Sequence, residues 1–276
     1  MAPPSLADAL RRGQALLADV SPSPRADVEL LAGHLLGLGP GQLRAAAIRG
    51  ACAPAGLDDL VQARAAGVPV QHLTGQVTFR ELELACGPGV FIPRPETELV
   101  AGEAISAAAA LSAPIVVDLC AGSGAIAAAV AVEVSRARVW AVEIDPVAAG
   151  YARQNLPPHV TLVVADALSV GTLADLDGTV DVVVSNPPYV PDGAWVSPEA
   201  AHDPPIALFA GPDGWQMPLA LAGRARRLLH PGGLLVLEHH DHGQPEIASG
   251  LQRLGYREVV AYEDLAGRPR YLTARR

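Results

Sequence analysis

The chain has 276 residues, half of them hydrophobic, and acidic residues outnumber basic ones 29 to 20, for a net charge of −9. A chain of this size and composition buries a substantial core, and its acidic balance argues against a broad phosphate-binding surface, though a local basic patch stays possible. Cys52, Cys86 and Cys120 are too few and too scattered for a disulfide framework or a thiolate metal site. A reducing, cytoplasmic setting is therefore expected.

The first seventy residues carry the periodicity of amphipathic helices. Apolar residues recur at spacings of three and four, and prolines and glycines separate the segments, which predicts four helices at 5–20, 26–38, 42–48 and 57–66. The apolar faces predicted for the first two helices include Leu16, Leu30, Leu35 and Leu36. Residues 1–72 are therefore expected to form a small helical domain, which either docks a partner or stabilises the fold.

Charged residues interrupt the apolar stretches that could suggest export or a membrane span. Asp8 and Arg11 lie within the apolar residues of the N-terminus, which is unlike a secretion signal. Glu103 and Pro114 interrupt the apolar stretch at 101–117, which is unsuitable as a membrane span. The sequence predicts a soluble protein without a membrane partner.

After the helices, the pattern changes to that of strands. Val77 and Phe79 alternate before a polar pair, and Leu82 and Leu84 alternate after it, which predicts a hairpin that links two domains across residues 73–90. From residue 91 to 276, strands and helices alternate. Strands are expected at 115–119, 139–144, 160–164, 180–185, 234–238, 258–262 and 270–274, and helices notably at 125–134, 146–155 and 217–229. This alternation predicts an α/β fold with a doubly wound, seven-stranded, mainly parallel sheet.

A glycine loop follows the first strand of this second domain. Residues 116–127 read VVDLCAGSGAIA, in which a strand, a glycine turn and a helix start succeed one another. Glycines let the backbone approach a ligand, and the start of a helix favours polar or negative groups. Glu143 ends the next strand, where an acid binds ribose hydroxyls. Taken alone, the loop does not distinguish a nicotinamide cofactor from another nucleoside cofactor. Ser123 lacks the surroundings of a hydrolase nucleophile.

Further acids at strand ends narrow the choice. Asp118 precedes the glycines, Asp145 follows Glu143, and Asp166 lies just past the third strand. This layout resembles the class I S-adenosylmethionine-dependent methyltransferases. The resemblance implies that the cofactor-binding residues are Cys120, Ala121, Gly122, Ser123 and Gly124 at the methionine part and ribose, Glu143 at the ribose hydroxyls, Asp166 and Ala167 at the adenine, and Asn186 at the reacting end.

The fourth strand ends in Asn186-Pro187-Pro188-Tyr189. A planar NH₂ group is a poor nucleophile because its lone pair is delocalised, so two acceptors that bind both N–H bonds can orient the nitrogen toward a methyl donor. The Asn186 side-chain oxygen and the Pro187 carbonyl can supply those acceptors, and proline keeps them rigid. Tyr189 offers a ring on which a flat acceptor can pack. The motif therefore predicts methyl transfer to an amide or to an aryl amine.

A sequence motif upstream of the glycine loop distinguishes between an amide and an aryl amine as the methyl acceptor. Residues 87–100 read GPGVFIPRPETELV, and together with the asparagine-proline-proline-tyrosine tip they resemble the protein-(glutamine-N5) methyltransferases that modify peptide-chain release factors. The resemblance covers nearly the whole chain. It implies S-adenosylmethionine as cofactor and, as acceptor, the glutamine of the Gly-Gly-Gln loop of class I release factors, with no direct nucleic-acid partner. It also implies that Asn186 and Pro187 hold the amide, that Pro188 and Tyr189 shape the pocket, and that Phe91 and Arg94 lie near cofactor and acceptor.

Several interpretations stay open beside this one. An adenine-N6 methyltransferase of nucleic acids shares the tip motif, and a glutamine methyltransferase of another protein would look similar. An NAD-linked oxidoreductase and a non-catalytic docking protein leave motifs unexplained. Arg94 could equally serve a structural ion pair with Glu96 or Glu98. The histidine-rich stretch 239–242 is interpreted as a polar loop without a metal, and the tryptophans as packing residues.

Two departures from the family pattern bear on the cofactor loop. Cys120 stands where the family usually has glycine, so the first turn has to tolerate a side chain. Glu143 stands where aspartate is more usual, which places its carboxylate one methylene further from the backbone. Neither change removes a chemical group that cofactor binding needs.

Overall fold

The computed structural model describes residues 4–276, which form two compact units. One unit contains the described residues up to 76 together with 197–202, and the other contains 77–196 and 203–276. Residues 1–3, which belong to the predicted N-terminal domain, lie outside the described residues. None of the helices in the described part of the chain is long and apolar enough to span a membrane.

Five helices build the first unit: α1 (Leu6–Leu16), α2 (Pro24–Leu36), α3 (Pro40–Ile48), α4 (Leu57–Ala65) and α5 (Val70–Thr74). Helix α1 begins after Ser5, whose hydroxyl accepts a hydrogen bond from the Asp8 N–H at 3.1 Å. Helix α2 ends at Gly37, whose φ of +63° is the left-handed conformation that glycine adopts most easily. The core of this unit is aliphatic and centres on Leu6, Leu17, Leu31 and Leu43.

The predicted apolar faces of α1 and α2 are partly wrong. Leu16, Leu30, Leu35 and Leu36 are exposed, while Leu17 and Leu31 are buried. Helix α1 ends at Leu16 and the chain turns there, so the predicted continuation to residue 20 does not form. Adjacent leucines on a helix point about 100° apart, so only one of each pair can face the core.

A buried ion pair network holds the segment 197–202 in the helical unit. The Arg64 side chain is 3% exposed, and its Nε donates to Asp27 Oδ2 at 2.7 Å. Arg64 Nη2 lies 3.1 Å from Glu199 Oε1. A buried guanidinium is tolerated when carboxylates pair with it, and the loss of one partner is costly. Arg64 therefore joins helices α2 and α4 to a segment that is distant in sequence.

A two-stranded hairpin follows, β1 (Gln76–Phe79) and β2 (Leu82–Ala85), and the second unit, which begins at Val77, continues as alternating helices and strands. In chain order, these are α6 (Thr97–Ala109), β3 (Ile115–Leu119), α7 (Ala125–Glu133), β4 (Arg138–Glu143), α8 (Pro146–Asn155), β5 (Thr161–Val164), β6 (Val180–Ser185), α9 (Pro205–Leu208), α10 (Gln216–Leu228), β7 (Leu229–Glu238), α11 (Gln244–Arg253), β8 (Arg257–Glu263) and β9 (Pro269–Arg275).

The sheet has seven strands in the order β5-β4-β3-β6-β7-β9-β8, which confirms the predicted fold class. All neighbouring pairs are parallel except those of β9, which runs antiparallel to β7 and to β8. Helices α6 and α7 pack on one face, and α10 and α11 pack on the other. Leu119 pairs with Ser185, so β3 and β6 end side by side.

Candidate active site

The chain order of the sheet reverses between β3 and β6, and ligands of doubly wound sheets bind at such a switch point. Strand β3 leads into the glycine loop, β4 ends at Glu143, and β6 leads into Asn186. Parallel strands bring their carboxyl ends to one edge of the sheet. The cofactor-loop residues and the tip motif that the sequence predicted are thus placed on the same edge.

The glycine loop turns through left-handed backbone at three positions. The φ angles are +62° at Cys120, +56° at Gly122 and +81° at Gly124. Glycine adopts this conformation without strain, whereas a residue with a Cβ pays roughly 1–2 kcal/mol. A Cβ at Gly124 would lie 3.1 Å from the Leu156 side chain, so a larger residue would also be packed tightly there. Cys120 is the strained position of the loop, because a side chain stands where the backbone favours glycine.

The Glu143 side chain holds the glycine loop by a hydrogen bond to the backbone of the loop. Its Oε2 accepts from the Gly122 N–H at 2.7 Å and its Oε1 accepts from the Asp145 N–H at 2.8 Å. Burial raises the pKa of Glu143, and these N–H donors oppose that rise. Each carboxylate oxygen retains a lone pair after one hydrogen bond. Glu143 therefore orders two loops while keeping acceptor capacity toward a ligand.

Asp118 is a second acid beneath the same loop. Its carboxylate is fully buried, with Oδ2 accepting from the Ala127 N–H at 3.1 Å and with Oδ1 lacking a hydrogen-bond partner among residues 4–276. Burial raises its pKa to about 8, against the effect of the Ala127 N–H. At Gly122, a Cβ would meet no atom within 4 Å, so the backbone faces open space there. The unpaired Oδ1 of Asp118 offers a polar ligand a hydrogen-bonding group, and the open space at Gly122 offers it room beside the backbone.

The third acid lies at the end of the neighbouring strand. Asp166 is exposed, its Oδ1 accepts from the Leu168 N–H at 2.8 Å, and Ala167 beside it is buried. The Ala165 N–H donates to the Glu143 carbonyl at 2.9 Å, so the loops after β4 and β5 are joined. The structure thus brings Glu143, Asp166 and Ala167 to adjacent strand ends.

At the tip of β6, hydrogen bonds hold the side chains of Asn186 and Tyr189. Asn186 Nδ2 donates to Thr97 Oγ1 at 3.1 Å, and the Tyr189 hydroxyl donates to Glu238 Oε1 at 3.1 Å. Burial first, and the Glu238 charge second, raise the pKa of Tyr189, so the phenol stays protonated.

The backbone of the same tip is held as well. The N–H groups of Tyr189 and Val190 both donate to the Leu208 carbonyl, at 3.2 and 2.8 Å. Gly214, with φ of +74°, is required here, because a Cβ would collide with the Tyr189 carbonyl oxygen. Pro187 is buried between these fixed positions. The tip is therefore rigid on both sides of the two prolines.

Arg94 has a different ion-pair partner from the ones expected. Its guanidinium pairs with Asp203, and neither Glu96 nor Glu98 is its partner among the described ion pairs. Asp203 Oδ1 also accepts from the Ile92 N–H at 3.1 Å. The Arg94 guanidinium lies over the Phe91 ring, 5.2 Å from its centroid. The prediction of local pairing was wrong because Glu96 and Glu98, two and four residues away, lie at the start of helix α6, while a buried carboxylate from a distant loop reaches the arginine.

Three residues of this region were missed from the sequence: Thr97, Glu238 and Trp195. Thr97 lies in the PRPETE phrase and Glu238 ends an apolar strand, so their positions were visible, but their contact with the tip depends on the tertiary fold. Trp195 was expected to pack in a core and is 83% exposed. It lies in the loop that follows Tyr189.

The histidine-rich stretch follows β7. His239 is buried, and its Nδ1 lies 2.8 Å from the His240 carbonyl. Asp241 lies between the imidazoles of His240 and His242, with 2.6 Å between His240 Nδ1 and Asp241 Oδ1. These side chains pair with one another at the surface, and methyl transfer from a sulfonium requires no metal. The interpretation as a polar loop stays a prediction.

A mainly parallel seven-stranded sheet with an acid-anchored glycine loop at its switch point belongs to the class I S-adenosylmethionine-dependent methyltransferases. Residues 8–75 match the family described as PrmC N-terminal domain, and residues 103–203 match the family described as Methyltransferase small domain. The chain belongs to the family of release factor glutamine methyltransferases, on the strength of the relatives that follow.

Two curated relatives carry the name release factor glutamine methyltransferase. The one from Streptomyces coelicolor is 48% identical over 270 residues, covering 94% of each chain. The one from Mycolicibacterium smegmatis is 45% identical over 257 residues, covering 92% of this chain and 91% of the relative. Among solved structures, a release factor-specific protein-(glutamine-N5) methyltransferase from Alicyclobacillus acidocaldarius is 26% identical, with 67% of this chain and 94% of that chain covered and a TM-score of 0.44.

Proposed function

We propose that this enzyme transfers a methyl group from S-adenosylmethionine to the side-chain N5 of the glutamine in the Gly-Gly-Gln loop of class I peptide-chain release factors, in the cytoplasm. The observation that carries the proposal is the orientation of Asn186. Its Nδ2 is engaged by Thr97, which leaves Oδ1 available at the strand edge shared with the glycine loop. An amide NH₂ is the acceptor group that such an oxygen can hold.

The cofactor site is proposed at the ends of β3, β4 and β5. The loop from Cys120 to Gly124 offers backbone groups, Glu143 and Asp166 offer carboxylates, and Ala167 offers an apolar contact for an adenine ring. The unpaired Oδ1 of Asp118 and the open space at Gly122 support this assignment. When bound, S-adenosylmethionine supplies a methyl group activated by a sulfonium charge.

The protein's own contribution is orientation of the acceptor nitrogen. Asn186 Oδ1 and the Pro187 carbonyl accept the two N–H bonds of the glutamine amide, which turns the nitrogen lone pair out of conjugation. Proline lacks an N–H and has a fixed φ, so these acceptors need little reorganisation. Pro188 and the Tyr189 ring bound the pocket, with Phe91 and Arg94 on the preceding segment. The rate enhancement comes from preorganised hydrogen bonding and not from proton abstraction.

A mass-spectrometric assay tests the proposed reaction. A purified class I release factor is incubated with the enzyme and S-adenosylmethionine, in parallel with a factor whose loop glutamine is replaced by asparagine. One added methyl group on the loop glutamine, absent from the asparagine factor, is expected. Methylation of adenine in DNA or RNA instead, or of a glutamine in another protein only, would contradict the assignment. Calorimetry is expected to show binding of the cofactor and none of NAD.

We further propose that the release factor contacts the enzyme beyond the catalytic pocket, through exposed side chains that include Trp195 and those of the helical domain predicted for residues 1–72. Exposed aromatic residues often dominate protein interfaces. Trp195 follows the tip motif closely, and Ile48 at the end of α3 is exposed. A large acceptor presented on one loop requires such contacts for its orientation.

Trp195→Ala and Ile48→Ser test this docking against Leu265→Ala, a matched control whose side chain is 96% exposed in the loop before β9. Each docking variant is expected to raise KM for the whole release factor and to leave KM for a short Gly-Gly-Gln peptide unchanged. An equal rise for both acceptors, or a rise of the same size in the control, would contradict a docking role.

A further inference from the structure

The side-chain amide of an asparagine can present either its oxygen or its NH₂ to a given neighbour. The proposed function of Asn186 depends on which of the two faces the acceptor. Its Nδ2 faces Thr97 Oγ1 at 3.1 Å, so its Oδ1 faces away. A threonine hydroxyl both donates and accepts hydrogen bonds, so Thr97 alone would tolerate either orientation. Some further group has to set the direction of this hydrogen bond.

Glu238 is that group. It ends β7, the strand next to β6, and is 1% exposed. Oε1 accepts from the Tyr189 hydroxyl, while Oε2 is buried and has no hydrogen-bond partner among the described residues. Helix α6, which begins at Thr97, packs against β7. Burial raises the pKa of Glu238 to about 7, and the hydroxyls of Thr97 and then of Tyr189 oppose that rise.

The direction of the chain of hydrogen bonds follows from charge. An ionised carboxylate only accepts, so the Thr97 proton is directed to Glu238. The Thr97 oxygen is then free only to accept, and the group of Asn186 that faces it has to be the NH₂. The opposite orientation would present an NH₂ to the acceptor's own NH₂, and neither group can accept a hydrogen bond.

We propose that Thr97 and Glu238 are positioning residues that fix the orientation of the Asn186 amide and so present Oδ1 to the acceptor. This inference rests on the proposed function. Thr97 is 3% exposed at the start of α6, and Tyr189 is attached to the same carboxylate, so one buried acid organises both ends of the tip motif. Networks of this kind act as units and specify one arrangement.

Protonation of Glu238 has a defined consequence. A protonated carboxyl becomes a donor, and the direction of the hydrogen bonds through Thr97 can then reverse, which turns the Asn186 amide the wrong way. The charged or titratable groups that act on Glu238 are Tyr189, Arg270, which lowers its pKa, and Glu96, which raises it. The wild-type kcat is therefore expected to fall as the pH drops below about 7.

Thr97→Val, which removes the hydroxyl but keeps the shape, tests the inference against Thr97→Ser, which keeps the hydroxyl. With a whole release factor as acceptor, we expect kcat to fall roughly tenfold in Thr97→Val and to be largely retained in Thr97→Ser. The dissociation constant of the cofactor, measured by calorimetry, is expected to change little in either variant. Equal loss in both variants, accompanied by weaker cofactor binding, would mean that Thr97 only packs.

Glu238→Gln supplies a second test that does not depend on the folding of the valine variant. A glutamine at this position donates as well as accepts, so it no longer imposes a direction. We expect a lower kcat and loss of the wild-type decline at acidic pH. A kcat profile that keeps the same acidic decline in Glu238→Gln would overturn the inference.

A spectroscopic measurement separates this inference from the proposed function. The side-chain NH₂ signals of Asn186, recorded by NMR of the isotopically labelled enzyme without any acceptor, are expected to shift with the ionisation of Glu238. They are expected to lose that shift in Thr97→Val. If these signals behave so while no release factor is methylated, the proposed function fails and the positioning inference stands. Signals that are insensitive to Glu238 and Thr97 would overturn the inference.

Discussion

The glycine loop after β3 and the rigid tip after β6 lie on the same edge of the sheet, but they are built by different means. The loop has left-handed backbone at Cys120, Gly122 and Gly124, and the Glu143 carboxylate accepts from the Gly122 N–H. The tip obtains its rigidity from prolines, and buried side chains hold its asparagine and tyrosine. A loop of this kind recognises a ligand with backbone atoms, whereas the tip works with one oriented side chain.

This difference predicts where substitutions act. Changes in the tip are expected to lower kcat and to spare the affinity for the cofactor, because the tip is proposed to contact the acceptor. Changes in the loop are expected to weaken cofactor binding or to alter stability, because backbone conformation is the property that they disturb. Tip variants that weakened cofactor binding, or loop variants that lowered only kcat, would contradict this comparison.

The largest effect is expected from Asn186→Ala. This change removes one of the two proposed acceptors for the glutamine N–H bonds, and the loss of one preorganised hydrogen-bonding group costs roughly 10²–10³-fold in kcat. Steady-state kinetics with a release factor measure the loss, and calorimetry is expected to show nearly unchanged cofactor affinity. A normal rate in Asn186→Ala would mean that the motif is only a turn.

Asn186→Asp sharpens the same point. It keeps the size and one acceptor, but it adds a negative charge near the proposed position of the sulfonium. The charge favours the bound ground state, and the positive charge disperses in the transition state. Cofactor binding at least as tight as in the wild type, together with slower turnover, is therefore expected. A higher kcat in Asn186→Asp would contradict the proposal that the uncharged Asn186 side chain holds the glutamine amide.

The next largest effect is expected from Glu143→Gln. A glutamine offers one acceptor where two backbone N–H groups, those of Gly122 and Asp145, now have one carboxylate oxygen each. One half-buried N–H would lose its partner, and such a loss costs up to about 1–3 kcal/mol. Calorimetry is expected to show cofactor affinity weakened by roughly 10–100-fold. Glu143→Asp is the control, because it keeps the charge, and its binding is expected to stay close to that of the wild type.

Gly122→Ala is expected to have a moderate effect. Its φ of +56° strains any residue with a Cβ, by roughly 1–2 kcal/mol, although a Cβ there meets no protein atom within 4 Å. The thermal unfolding midpoint is therefore expected to decrease modestly. If the cofactor approaches this backbone, its affinity should fall by more than the strain explains. A lower midpoint with unchanged affinity would place the cofactor elsewhere.

The smallest effect is expected from Cys120→Gly, the reverse experiment in the same loop. Relief of the left-handed strain at φ of +62° favours the variant, while the greater freedom of glycine in the unfolded chain opposes it. A net stabilisation of no more than about 1 kcal/mol is expected from chemical denaturation. Clear destabilisation would show that the thiol packs better than its strained backbone suggests.

The local sequence predicted the elements of the methyltransferase unit well. Strands β3 and β6 have the predicted bounds, as does α8, because β-branched runs and flanking glycine or proline mark such elements. The faces of α1 and α2 were harder to predict. Leu16 and Leu17 are both leucines, and only the packing of neighbouring helices decides which one is buried.

The sequence by itself determined the class of fold, the glycine loop with Glu143, and the placement of Asn186 at a strand end, since these depend on residue type and spacing. The tertiary structure alone decided the partners of the charged and polar side chains. Arg94 pairs with Asp203 and Asn186 with Thr97, across separations of 109 and 89 residues. Buried polar groups take whichever partner the fold brings within reach, because leaving them unpaired is costly, and spacing along the chain carries no information about that partner.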